Sequence, residues 1–118
     1  MRILVADDDI DIAVTLERLF PSEHEVVHVA SGHTAFERIA IGRAFDVVLC
    51  EIQLPDIGGI ELHRRLSECA PNTAGRIVFL TTDPEPHRGF LSSVKNTYLT
   101  KPVAASALRQ LIRDLALH

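Results

Sequence analysis

The stretch FDVVLCEIQLPDIGGIEL, residues 45–62, decides the fold. Phe45 to Cys50 is a nearly continuous apolar run, the pattern of a central strand covered on both faces. Glu51 stands at its end. The loop LPDIGG follows, and Pro55, Gly58 and Gly59 make it a turn before a helix. In that helix Glu61 and Arg65 sit at i and i+4, the favourable order for an exposed ion pair.

The same alternation of apolar and amphipathic segments extends to both sides. Toward the N-terminus, Ile3 to Ala6 reads as a first strand. A helix follows with Ile12, Leu16, Leu19 and Phe20 on one face, ended by Pro21. Val26, Val27 and Val29 mark a second strand. Ser31 reads as the N-cap of a second helix, with Ala35, Phe36, Ile39 and Ala40 as its buried stripe and Gly42 closing it. Toward the C-terminus, Ile77 to Leu80 is a fourth strand. Residues 83–94 carry Pro84, Pro86 and Gly89, so the helix there is expected to be short or irregular. Tyr98 and Leu99 form a fifth strand, and the last helix has Leu108, Leu111, Ile112 and Leu115 on one stripe. Five β/α units in this order predict an α/β protein, a doubly wound five-stranded parallel sheet with helices on both faces.

Composition narrows the function. At 118 residues the chain is expected to be one domain, residues 1–118. With 47% hydrophobic and 24% charged residues it suits a soluble globular protein. The net charge of −4 argues against direct nucleic-acid binding, which needs a basic face. The opening MRILVADDDI turns acidic after Ala6, so it is neither a signal peptide nor a membrane span. Cys50 and Cys69 do not make a disulfide framework, which points to a reducing cytoplasmic setting. Cys50 reads as a small buried apolar residue. The six histidines, His24, His28, His33, His63, His87 and His118, have no metal-ligand spacing and read as surface residues. Arg109 and Arg113 read as a solvated face of the last helix.

In doubly wound sheets, sites lie beyond the carboxyl ends of the strands. There the sequence places Asp7, Asp8 and Asp9 after strand one, Glu51 after strand three, Thr81 and Thr82 after strand four, and Lys101 after strand five. Two carboxylates about 4 Å apart repel by roughly 4 kcal/mol at an effective dielectric near 20, so a cation must hold them together. Hard oxygen ligands suit Mg²⁺, Lys101 adds a fixed positive charge, and the Thr81 hydroxyl can donate to an anionic oxygen. Such a set can stabilise a phosphoryl group in transfer. Taken alone, the aspartates also fit a helix N-terminus that favours negative charge. A calcium loop is excluded, because its sixth and twelfth positions would be Ile12 and Arg18.

In ILVADDD, FDVVLCEIQLPDIGGIEL, IVFLTT and YLTKP, taken in order, the chain resembles the receiver domains of two-component response regulators over essentially its full length. The resemblance implies a flavodoxin-like sheet of order 2-1-3-4-5. It implies Asp7 and Asp8 as the acidic metal-binding pair, with Asp8 the direct ligand, and Glu51 at the phosphoacceptor position. Gln53 would offer a carbonyl to the metal, Thr81 and Lys101 would contact phosphoryl oxygens, and Tyr98 would be the aromatic switch beside Thr81. The Lys101–Pro102 bond is often cis in this family. Mg²⁺ is the implied cofactor. Sensor histidine kinases, phosphotransfer proteins and downstream effector domains are the implied partners, with homodimers an option.

The sequence departs from the family pattern at three places. Glu51 replaces aspartate, and its extra methylene moves the carboxylate outward by roughly 1.5 Å. Thr82 stands where a small residue is usual and is expected to narrow access. Thr81 and Lys101 are closer in sequence than is usual, in the stretch that also holds the prolines and Gly89. Glu51 is expected to act either as a phosphomimetic, held by Lys101 and Thr81, or as part of an inactive platform, ion-paired to Lys101. A domain of either kind is not an enzyme. The alternatives are a Mg²⁺-dependent phosphatase of the haloacid-dehalogenase type and a purely structural docking module. Against the phosphatase, the residue four positions after Asp7 is Asp11 rather than Thr or Val, and no acidic pair follows Lys101.

Overall fold

The computed structural model describes residues 1–117. Five parallel strands form one sheet: β1 (Arg2–Ala6), β2 (Glu25–Val29), β3 (Val47–Glu51), β4 (Ile77–Thr81) and β5 (Tyr98–Thr100). Their spatial order is 2-1-3-4-5, as expected. The helices are α1 (Asp11–Leu19), α2 (Gly32–Ile41), α3 (Gly59–Cys69), α4 (Pro71–Ala74), α5 (Arg88–Ser93) and α6 (Ala105–Ala116).

Strand alternation divides the apolar residues into two cores. Ile3 and Val5, Val47 and Leu49, and Val78 and Leu80 face α1 and α6, where they meet Ile12, Leu16, Leu108 and Ile112. Leu4 and Ala6, Val48 and Cys50, and Ile77 and Phe79 face the other way, against Ala35 of α2, Leu62 and Leu66 of α3, and Leu91 of α5. The central strands are buried on both faces, which is why β3 and β4 read as unbroken apolar runs. Cys50 is fully buried among apolar neighbours, and that burial pushes its thiol pKa up.

Local signals set the helix ends. The Ser31 hydroxyl accepts the Thr34 N–H at 3.1 Å, and Gly42 is the C-cap of α2. On α3 the expected Glu61–Arg65 pair forms at 3.3 Å, and Arg64 joins it at 2.5 Å.

Three details correct the sequence reading, and one agrees with it. Phe45 precedes β3 rather than opening it; it is buried, with the Arg2 guanidinium 4.4 Å above its ring. α4 was not anticipated, and Pro71 starts it from the first-turn position where proline costs no hydrogen bond. Residues 83–94 form a 3₁₀ turn (Glu85–His87) followed by the short α5, as the prolines dictate. The histidines are not uniformly on the surface. His24, His28, His63 and His87 are half-buried, and His63 lies 5.9 Å from the Phe79 ring and 5.6 Å from that of Phe90. Burial lowers the His63 pKa, against an opposing hydrogen bond with Asn96. His118 lies outside the described residues.

Candidate functional site

The carboxyl ends of β1, β3, β4 and β5 meet at one edge of the sheet. A cleft of about 410 Å³ opens there, lined by Asp7, Asp9, Asp11, Thr82, Lys101 and Pro102 among others. Asp7 is fully buried, Glu51 is 6% exposed and Thr81 is 2% exposed. Buried polar groups of this kind persist only when they are partnered.

Lys101 is the partner of both acids. Its Nζ lies 2.8 Å from Asp7 Oδ2 and 2.9 Å from Glu51 Oε2. Its backbone N–H also donates to the Thr81 carbonyl at 2.8 Å, which fixes the stem of the side chain against β4. Burial pulls the Lys101 pKa down, but the hydrogen bonds and charges of Asp7 and Glu51 outweigh it and hold the ammonium up to about 12. The Lys101–Pro102 peptide bond is cis.

The remaining carboxylate oxygens are also engaged. Asp7 Oδ1 accepts the Asp9 N–H at 3.0 Å, and Asp9 Oδ1 accepts the Asp11 N–H at 2.9 Å, in the turn that leads into α1. His28 Nε2 donates to the Asp7 carbonyl at 2.7 Å. Glu51 Oε1 receives the Gln53 N–H in a long contact of 3.4 Å.

The structure does not gather every expected residue. Asp8 is exposed and is not among the residues lining the cleft, whereas Asp7, Asp9 and Asp11 are. Thr81 does not hold Glu51. Its hydroxyl donates to the Asp83 carbonyl at 2.9 Å and accepts the Asp83 N–H at 3.2 Å, a local turn ahead of Pro84. Tyr98 is 38% exposed, in the position of an outward-facing strand aromatic. Thr82 lines the cleft.

The Mg²⁺ implied by the resemblance would meet a site where Lys101 already neutralises part of the acidic charge. The ion would take one or two carboxylates, and the oxygens not held by Lys101 include Glu51 Oε1, with its one long contact to Gln53, and those of the exposed Asp8. Among the described residues, no three His, Cys, Asp or Glu side chains converge as a metal site.

Comparison with known proteins agrees with the geometry. The chain matches the family described as response regulator receiver domain over residues 3–113. It is 37% identical over 81 residues to the response regulator receiver protein CpdR of Brucella abortus, covering 68% of this chain and 65% of that protein. To the transcriptional regulatory protein DltR of Streptococcus agalactiae it is 32% identical over 116 residues, covering 96% of this chain and 50% of that protein. Among solved structures it superposes on the BeF3-activated DrrB receiver domain with a TM-score of 0.77 at 27% identity, covering 99% of this chain and 97% of the other. The chain thus spans between half and two thirds of the length of these curated relatives. A match that runs through all five strands, on a sheet of this order with its acids and lysine gathered at the strand ends, means that the chain belongs to the response regulator receiver domain family of two-component signalling.

Proposed function

We propose that this receiver domain works with a fixed charge arrangement: Glu51 occupies the phosphoacceptor position without accepting a phosphoryl group, and output passes through protein–protein contacts. The observation that carries this reading is the Lys101 ammonium bonded to both Asp7 and Glu51. Lys101 holds Glu51 Oε2 in a buried charge-assisted hydrogen bond, which belongs to the stronger class, and leaves only Oε1 to meet a phosphorus atom. An acyl phosphate on Glu51 would also sit about one bond length beyond the place an aspartyl phosphate takes, and misplacement of about 1 Å can cost on the order of 100-fold in rate. This reading routes no step through Mg²⁺. The proposed partners are a sensor histidine kinase, a phosphotransfer protein or a downstream effector domain, met in the cytoplasm. Nucleic acid and membrane are not proposed partners. The chain carries a net charge of −4, and no helix among the described residues is long and apolar enough to cross a membrane.

The test is to incubate the protein with acetyl phosphate and Mg²⁺ and to measure intact mass, beside Glu51→Asp. The wild type is expected to stay unmodified and the Asp variant to gain a phosphoryl group. Ready labelling of wild-type Glu51 would falsify the fixed-charge reading. Incubation with a generic phosphate ester is expected to give no turnover, whereas turnover would favour the haloacid-dehalogenase alternative.

A further inference from the structure

Asp56 lies in the β3–α3 loop, outside the cleft. Yet it spans two elements. Its Oδ1 accepts the Gly32 N–H and its Oδ2 accepts the His33 N–H, both at 2.9 Å. These are the first two amides of α2, which a helix leaves without internal partners. Ser31 serves the third, from Thr34, as a local cap. The acid thus closes the helix start from 24 residues away in sequence. A carboxylate suits that place because the helix dipole is positive there.

A second observation, independent of Asp56, fixes the same two pieces together. A Cβ on Gly32 would lie 2.0 Å from the Ile57 carbonyl oxygen, so the backbones of α2 and the loop touch directly and only glycine fits. The loop is itself closed, since the Gly59 N–H donates to the Ile52 carbonyl at 3.0 Å. Residues 52–59 therefore form a ring. Gln53, whose N–H faces Glu51 Oε1, stands at one end of it and Asp56 in its middle.

We propose that Asp56 is a positioning residue: by clasping the start of α2 it sets the 52–59 loop, and with it the Gln53 amide, against the carboxylate of residue 51. This rests on residue 51 being the centre of the site.

The experiment compares ¹⁵N–¹H NMR spectra and amide hydrogen exchange of the full chain with those of Asp56→Ala and Ser31→Ala. Each variant removes one cap from the same helix start, but only Asp56 touches the loop. Asp56→Ala is expected to shift the Gln53 amide resonance and to speed exchange at Gly59 by about tenfold, the loss of roughly one hydrogen bond. Ser31→Ala is expected to loosen α2 and to leave Gln53 and Gly59 at their wild-type values. An unmoved Gln53 in Asp56→Ala, or an equal shift in Ser31→Ala, overturns the proposal. If Asp56→Ala does not fold, Asp56→Asn, which keeps one acceptor, is judged by the same criteria. Phosphoryl labelling of wild-type Glu51 would overturn the fixed-charge reading and leave this readout unchanged, so the two can fail separately.

Discussion

On one side of the cleft, Lys101 reaches Asp7 across 94 residues of sequence and Glu51 across 50. On the other side, Thr81 closes both of its side-chain hydrogen bonds onto Asp83, two residues away. The first side is tertiary and charged. Freeing either acid would leave a buried charge unpaired, which is among the costliest changes a core can suffer. The second side is local and neutral, and re-routing its hydroxyl costs about one ordinary hydrogen bond, roughly 1 kcal/mol. The acid side is therefore the fixed part of the site. The Thr81 side, whose hydroxyl bonds only within its own turn, is the part that can change partners at small cost.

Substitutions on the two sides can break or sharpen this contrast. The largest effect is expected from Lys101→Ala, which strands Asp7 and Glu51 as buried like charges. Loss of about 3–5 kcal/mol in urea unfolding is the expected result. A loss near zero would mean that the ammonium does not hold the acids together.

Raising the pH tests the same side without a mutation. The folded pKa of Lys101, about 12, lies above its ordinary 10.5. The ion pair's contribution is therefore complete below about pH 10.5 and is lost as pH rises through 12. The wild-type urea midpoint should fall across that window more steeply than that of Lys101→Ala, which has no ammonium left to lose. Parallel curves would contradict the assignment.

On the other side, Thr81→Ala removes one acceptor and one donor from a local turn. It should cost about 1 kcal/mol and leave the Lys101 Nζ resonance in place. A shifted Lys101 resonance would show that the two sides are coupled in the resting domain. The smallest effect belongs to Tyr98→Phe. It removes only a hydroxyl from a side chain exposed enough to stay hydrated, so stability should change by less than about 0.5 kcal/mol.

Much of this was legible in the sequence because the signals are short-range. The unbroken apolar runs of β3 and β4, the Ser31 cap, the Gly42 stop and the disrupted stretch around Pro84 and Pro86 each express a rule that acts over a few residues. The strand-end rule also brought Asp7, Glu51 and Lys101 together correctly. It could not decide which aspartate of the run would turn inward, because that depends on how the chain leaves β1 and starts α1. Hence Asp8 was expected in the cleft, and Asp9 and Asp11 line it. Nor could it reveal that Asp83 would capture the Thr81 hydroxyl, although an acidic residue before Pro84 is a signal for a turn of that kind. Asp56 gave only the signal of a polar loop residue beside a proline, and its partners lie on another element.

The sequence by itself determined the strands, most of the helices, the two-faced sheet and the set of groups available at its carboxyl edge, since apolar period, capping and turn chemistry are properties of neighbouring residues. Only the tertiary structure decided who bonds to whom. It gave Lys101 to Asp7 and Glu51 together, left Thr81 to its own turn and put Asp56 on α2. Those choices turn on differences of an ångström or two between groups far apart in the chain, and no local pattern encodes such distances.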